Sequence, residues 1–440
     1  MVIFENVWWL LVLIGVMILI HELGHFWTAR FFNVRVETFS FGFGPKLYSF
    51  RRGETEYRFS LILFGGYVKM TGEQPGEDNV ADPRAFMAKP RWQRLCIAAA
   101  GPAMNMVLAV VLLTGLFLFK YPKPPDPNAP ATIGNVQPNS AAARAGIHEG
   151  DRIVRVEDLA RPTWEDILVK EISSAQRPLP VVVERGGREI PLIVTPVLDE
   201  RTGVGYAGWS EENEVQISGF VPGVPNAEQA GLKAGDIVLA VNGQAIRSTQ
   251  RLHEALRASQ GKPIEILYSR QGVRDKAVVQ PAYAAIQGQS RWMIGVQLEP
   301  RYVMIQLPLD QAFRESLRQN ARYAALIYQF LRGIVERRMS PKSLEGPIRI
   351  AQLSGDAARE GPGAFVGLMS MVSLNLAIFN LLPIPILDGG VILLLLVEMI
   401  MRRDLSLQVK ETVFKLGFVF LMMVVAFVLY NDISKILPPG

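Results

Sequence analysis

Residues 7 to 29 read VWWLLVLIGVMILIHELGHFWTA, an apolar run that carries His21-Glu22-Leu23-Gly24-His25 near its end. About 20 predominantly apolar residues suffice for a helix to cross a bilayer. On a helix, residues four apart share a face, so both imidazoles can reach one zinc ion while Glu22 lies beside the metal-bound water. Zinc lowers the pKa of such a water toward about 7, and a carboxylate can then take its proton as it attacks a peptide carbonyl. A carboxylate and two imidazoles in an apolar span are costly unless they are used. The chain has only four His, which makes chance pairing a poor account of the motif. A signal peptide is a poor reading of the run, because Met1 to Val7 has no basic residue and no small-residue cleavage site follows.

Working outward, the 440 residues are 49% hydrophobic, with a single cysteine, Cys96. The composition predicts membrane spans and excludes both an intrachain disulfide and a thiolate zinc cluster, so metal ligands must be His, Asp or Glu. The net charge of +5 is modest and scattered, which gives no support to nucleic-acid binding. Three further runs have the length and apolarity of spans: Leu95 to Phe119, Ala364 to Met401 and Val413 to Tyr430. Basic residues gather between the first two spans (Arg30, Arg35, Arg51, Arg52, Lys89, Arg91, Arg94) and after the third (Arg402, Arg403, Lys410), and the positive-inside rule makes both connections cytoplasmic. Both termini and the long segment from about Lys120 to Gly363 then lie on the opposite side, the periplasm in a bacterium. Counted from that side, His21 sits ~20 Å deep. A catalytic zinc usually keeps three protein ligands and an open position. The other inward-facing acid within a span is Asp388 in Leu387-Asp388-Gly389, where Pro383 and Pro385 should unwind the third span and bring Asp388 to a similar depth. The alternative for Asp388 is a helix cap at the restart.

The long outer segment contains a repeat at an offset of 85: Ala142, Ala145, Gly146, Gly150, Asp151 and Val156 recur as Ala227, Ala230, Gly231, Gly235, Asp236 and Val241. Each copy reads as a strand, a small-residue helix, a Gly-Asp turn and a further strand, a pattern that resembles bacterial PDZ domains. Such domains add an extended peptide as a strand, and a loop near Gly134 or Gly219 is expected to meet a terminal carboxylate; the alternative is a pair of spacers. Phe39 to Met70 alternates apolar and polar residues around Arg51-Arg52-Gly53-Glu54 and reads as a β-hairpin, either on the surface or dipping into the bilayer. Phe313, Leu317, Ala324, Tyr328, Leu331 and Val335 form a helical stripe that faces a core or lies on a membrane.

The motif in the first span, Ala100-Gly101-Pro102 with Asn105 in the second, and Asn375, Asn380, Pro383, Pro385 and Asp388-Gly389 in the third together resemble the site-2 protease family, over nearly the whole chain. The four spans and tandem insert are closer to its Gram-negative members. The resemblance implies a polytopic α-helical membrane protein with four transmembrane helices, a membrane-associated β-hairpin and two periplasmic PDZ-like α+β domains. It implies a zinc endopeptidase of the bacterial inner membrane, with Zn2+ held by His21, His25 and Asp388, and Glu22 as general base. Asn375, Asn380, Pro383 and Pro385 would contact substrate, and the hairpin would offer it an edge strand. Substrates would be single-span membrane proteins, such as an anti-sigma factor already cut in the periplasm or remnant signal peptides; membrane lipid is the other partner. The expected divisions are 1–34 for the first span, 35–91 for the hairpin and loop, 92–120 for the second span, 121–208 and 209–286 for the two modules, 287–362 for an amphipathic helical linker, 363–403 for the third span and 404–440 for the fourth with the tail. The rival readings are a non-catalytic scaffold carrying PDZ-like domains, which leaves the intact metal motif unexplained, and a metal transporter, which would need further polar ligands along a path that these spans lack.

Overall fold

A computed structural model describes residues 2–73, 82–119, 121–123, 130–199, 203–286, 289–301, 303–336 and 340–436. They form two compact units: 1–121 with 306–329 and 344–440, and 122–305 with 330–343.

The first unit is a helical assembly. Helices α1 (Val2–Phe31) and α2 (Arg91–Leu118) cross closely where Gly24 meets the Ala100 carbonyl, an approach that any side chain at position 24 would block. Among the described residues, four helices are long and apolar enough to cross a membrane. Two are α1 and α2, and the others fall at Pro362–Asn380 and Leu407–Lys435. The chain is a membrane protein. Between apolar helices there is little hydrophobic driving force in lipid, and small polar side chains supply part of the adhesion. Here Ser370 and Ser373 donate to the carbonyls of Ala109 and Asn105 on α2, both at 2.9 Å.

The third span is interrupted, as its prolines predict. It runs as a helix from Pro362 to Asn380, unwinds through residues 381–387, and restarts at Asp388 to end at Met401. Within the break, Ile386 has φ +87°, a conformation that β-branched residues avoid at a cost of about 1–3 kcal/mol.

The hairpin is more folded than its sequence suggests. Strands Val36–Arg52 and Thr55–Met70 pair antiparallel, but both bend, and Thr38–Phe41 has two neighbours at once: Gly66–Lys69 on one side and Glu56–Phe59 on the other. Gly42 and Gly44, at φ +94° and +81°, permit the bend. The result is a four-segment sheet whose outermost segment, Gly66–Met70, lies next to α1. Phe39 stacks edge-on with Phe26 of α1. Leu47, Tyr48, Leu61 and Ile62 stay exposed at the far end.

The second unit holds the repeat. In module 1 a four-stranded sheet runs in the order 159–160, 152–156, 179–185, 188–194, and a separate pair joins Ile133–Val136 to Trp209–Glu211. Two helices cover it, α3 (Ala141–Arg144) and α4 (Trp164–Ile172), the latter opened by a capping box between Thr163 and Asp166. In module 2 a sheet runs 273–279, 264–270, 237–241, 215–220, 296–300, with helices α5 (Asn226–Gln229) and α6 (Thr249–Ser259). The repeated Gly-Asp has a structural cause. Asp151 accepts Arg185 Nε and Nη2 at 2.7 and 2.6 Å while Arg185 also donates to the Gly146 carbonyl, and Asp236, Arg270 and Gly231 repeat the clip.

Two sequence expectations are corrected here. Both modules close with a strand beyond the expected boundaries: Trp209 is packed in the first core, and Ile294, Val296 and Leu298 in the second. The boundaries at 208 and 286 therefore cut each module before its last strand. Gly134 and Gly219 sit inside paired strands, Ile133–Val136 and Val215–Phe220, so neither forms a terminal loop.

The remaining helices are α7 (Leu309–Val335), α8 (Pro347–Glu360), α9 (Pro362–Asn380), α10 (Asp388–Met401) and α11 (Leu407–Ile436). Helix α7 does not bury its apolar stripe. Its buried positions include Ala312, Ser316 and Asn320, and Ser316 donates to the Val110 carbonyl at 2.8 Å. Phe313, Leu317, Tyr328 and Val335 are exposed, which removes the core-facing alternative and leaves the stripe free for lipid.

Candidate metal centre and active site

Helix α1 places His21 and His25 one turn apart, and the restart of the third span delivers Asp388 between them. His21 Nε2 is 3.2 Å from His25 Nε2 and 3.1 Å from Asp388 Oδ2, and His25 Nε2 is 3.5 Å from Asp388 Oδ1. Asp388 is the first residue of α10, yet the N-cap is Leu387 and no side-chain cap is made, so the capping alternative fails.

The residues fit a zinc ion. Tetrahedral ligands ~2.0–2.2 Å from zinc are roughly 3.3–3.6 Å apart, close to the three separations found here. The donor set, two imidazoles and a carboxylate, is one that catalytic zinc uses. Gly101 of α2 faces the cluster, and a Cβ there would collide with Nε2 of both histidines. Position 101 thus has to be glycine for the histidine nitrogens to keep their space.

The far nitrogens are held as well. His25 Nδ1 donates to the Ile97 carbonyl at 2.8 Å, which leaves Nε2 with its lone pair for a metal. His21 Nδ1 lies 3.3 Å from the carboxamide of Asn105, which is fully buried, and the Asn105 Oδ1 has no partner. The two ends of a carboxamide are interchangeable by rotation. With the oxygen turned inward, Asn105 accepts from His21 Nδ1–H and both imidazoles present Nε2 to the same point. The sequence singled out Asn105 as part of a motif but gave it no role.

A cavity of about 410 Å³ opens from the cluster. Its lining includes His21, Glu22, His25, Tyr67, Val68, Asn380, Ile386 and Asp388. Glu22 stands beside the outermost sheet segment, where a Cβ on Gly66 would be 3.2 Å from its Cγ. Asn380 reaches the cavity; Asn375, Pro383 and Pro385 are not among its lining. Pro385 instead packs against Gly417 of α11.

The far end of the cavity is ionic. Glu398 of α10, fully buried, accepts from Lys410 Nζ at 2.7 Å and from the Leu405 N–H at 3.0 Å, and Arg94 Nη2 lies 3.8 Å away. Arg94 and Lys410 read in the sequence as orientation charges; a lone acid near the end of an apolar run was the one signal of this cluster.

The pattern of peptidase family M50 matches residues 9–424 of the 440. The chain belongs to peptidase family M50. This is the site-2 protease family, and its members are zinc metalloproteases. The M50 chain is 33% identical over 455 residues to a candidate zinc metalloprotease of Xylella fastidiosa, covering 97% of this chain and 98% of that one. It is 30% identical over 464 residues to the regulator of sigma-E protease RseP of Salmonella typhimurium, covering 97% and 98%. A solved PDZ domain of an SdrC-like protein of Listeria monocytogenes covers 20% of the chain and 90% of its own length, at 22% identity and a TM-score of 0.18, too low to carry weight. The PDZ-like reading of the M50 insert rests on its own strand and helix order.

Proposed function

We propose that this M50 protease cleaves single-span membrane proteins within the bilayer, with an anti-sigma factor already cut in the periplasm as its substrate. Remnant signal peptides are a second substrate of the same form. The observation that carries the reading is the meeting of His21, His25 and Asp388 beside Glu22, at the break in an apolar span. The protein lies in the bacterial inner membrane with both termini and the two modules in the periplasm, a reading supported by the basic residues of the intervening connections.

His21, His25 and Asp388 would hold zinc, which when bound supplies an acidified water and a positive charge for the developing oxyanion. Glu22 would be the general base, taking a proton from the attacking water and returning it to the leaving amine. Asn380, on the cavity wall, donates its carboxamide N–H to the substrate carbonyl, and Asn375, Pro383 and Pro385 keep the unwound segment in place behind it. An extended substrate needs partners for its backbone groups, and the segment Gly66–Met70 offers a sheet edge beside Glu22.

The test is Glu22→Gln, which keeps the side-chain shape and removes the base. Zinc content by metal analysis should stay at one per chain while cleavage of a single-span substrate falls ~10²–10⁴-fold. An undiminished rate rules out the assigned base.

A further inference from the structure

The two modules share a loop that the sequence repeat does not reveal. In module 1, Tyr206-Ala207-Gly208-Trp209 leads into the last strand, and in module 2, Met293-Ile294-Gly295-Val296 does the same. Equivalent hydrogen bonds fix the correspondence. Ala142 N–H donates to the Ala207 carbonyl at 2.8 Å and Ala227 N–H to the Ile294 carbonyl at 2.9 Å. Gln137 and Val221 donate to the carbonyls of Gly208 and Gly295, both at 2.8 Å. Gly208 and Gly295 also share φ +82°. A left-handed residue within such a loop turns neighbouring N–H groups to one side, a backbone nest suited to a carboxylate.

In module 1 that nest already holds an anion. Glu171, in the last turn of α4 and only 4% exposed, accepts from the Ala207 N–H through Oε1 at 2.6 Å and from Trp209 Nε1–H through Oε2 at 2.7 Å. Both carboxylate oxygens are used, each by a donor of the loop. At the same repeat offset, module 2 has Leu256 on α6. Among the described residues no side-chain carboxylate reaches the Ile294 N–H.

We propose that Glu171 stands in for a peptide's terminal carboxylate and closes the nest of module 1, so that recognition of a free C-terminus is confined to module 2. The proposal rests on the peptide-binding reading of the modules and is independent of the protease chemistry. Glu171 is then a specificity-determining residue: module 1 is left with strand contacts that need no chain end.

The test uses the full-length protein in detergent and a fluorescent decapeptide ending in valine, with a free carboxylate or amidated. Amide hydrogen exchange reads both loops at once. In the unaltered protein the free-carboxylate peptide should protect the Ile294 amide and leave Ala207, already bonded to Glu171, unchanged; the amidated peptide should protect neither. Glu171→Leu should add a second peptide site per chain and make Ala207 protection peptide-dependent. Peptide-induced protection of Ala207 in the unaltered protein, absence of protection at Ile294, or no added site in a folded Glu171→Leu chain overturns the proposal. Because no cleavage is measured, failure here leaves the M50 reading untouched, and failure of that reading leaves this one.

Discussion

Gly101 and Asn105 show how much of the proposed metal site lies outside its proposed ligands. A Cβ at Gly101 would enter the space between the two Nε2 atoms. Gly101→Ala should therefore lower zinc occupancy and activity together, while the detergent-solubilised protein keeps its unfolding temperature. Asn105 acts through His21. Partners of a ligand's far nitrogen typically change metal affinity ~10–100-fold. Asn105→Leu should weaken zinc affinity by that order in competition with a chelator, and Asn105→Asp, whose carboxylate can only accept, should restore most of it. Equal losses in both variants would mean that Asn105 serves packing alone. The meeting of His21, His25 and Asp388 was legible in the sequence because the chemistry proposed for them depends on spacing along one helix and on a rare acid in a span. Asn105 was not, because a carboxamide in a helix has no spacing rule that ties it to a histidine 84 residues away.

Elements were legible where a local rule governs them and illegible where a distant pairing does. The break before Asp388 follows from Pro383 and Pro385, and the structure unwinds there as expected. Alternation in Phe39–Met70 identified two strands, but period two does not specify which segments pair, and the bent four-segment sheet followed from glycines that the pattern treats as spacers. The module ends were misplaced for the same reason. The closing strands Trp209–Glu211 and Val296–Pro300 pair with residues 73 to 85 positions earlier, and no local signal marks such a partner. The stripe on α7 was read correctly as a stripe, yet the helix packs by Ala312, Ser316 and Asn320, because small residues allow the closer approach to α2. At this scale the ionic cluster makes its own prediction. Removing one partner of a buried ion pair typically costs ~3–5 kcal/mol. Glu398→Ala should thus lower unfolding stability by about that much, and adding Lys410→Leu should recover part of it. A Glu398→Ala chain with unchanged stability would show the cluster to be solvated.

The molecule as a whole combines a membrane unit with a second unit whose main segment, 122–305, begins and ends on paired strands, Tyr121–Lys123 and Val303–Ile305. Adjacent entry and exit make excision of the intervening residues compatible with the fold of the first unit. Deletion of about residues 127–284 should leave cleavage of short single-span substrates within roughly tenfold of the intact protein, and should admit substrates with bulky outer domains if the modules act as a filter. The catalytic account stands or falls on where the bond is cut. With purified protein in detergent and a single-span substrate, mass spectrometry of the products locates the cut, and a zinc chelator shows whether it depends on metal. The account predicts a cut inside the apolar span that is abolished by chelation and restored by zinc. A cut outside the span, or one that persists after complete removal of zinc, would contradict it.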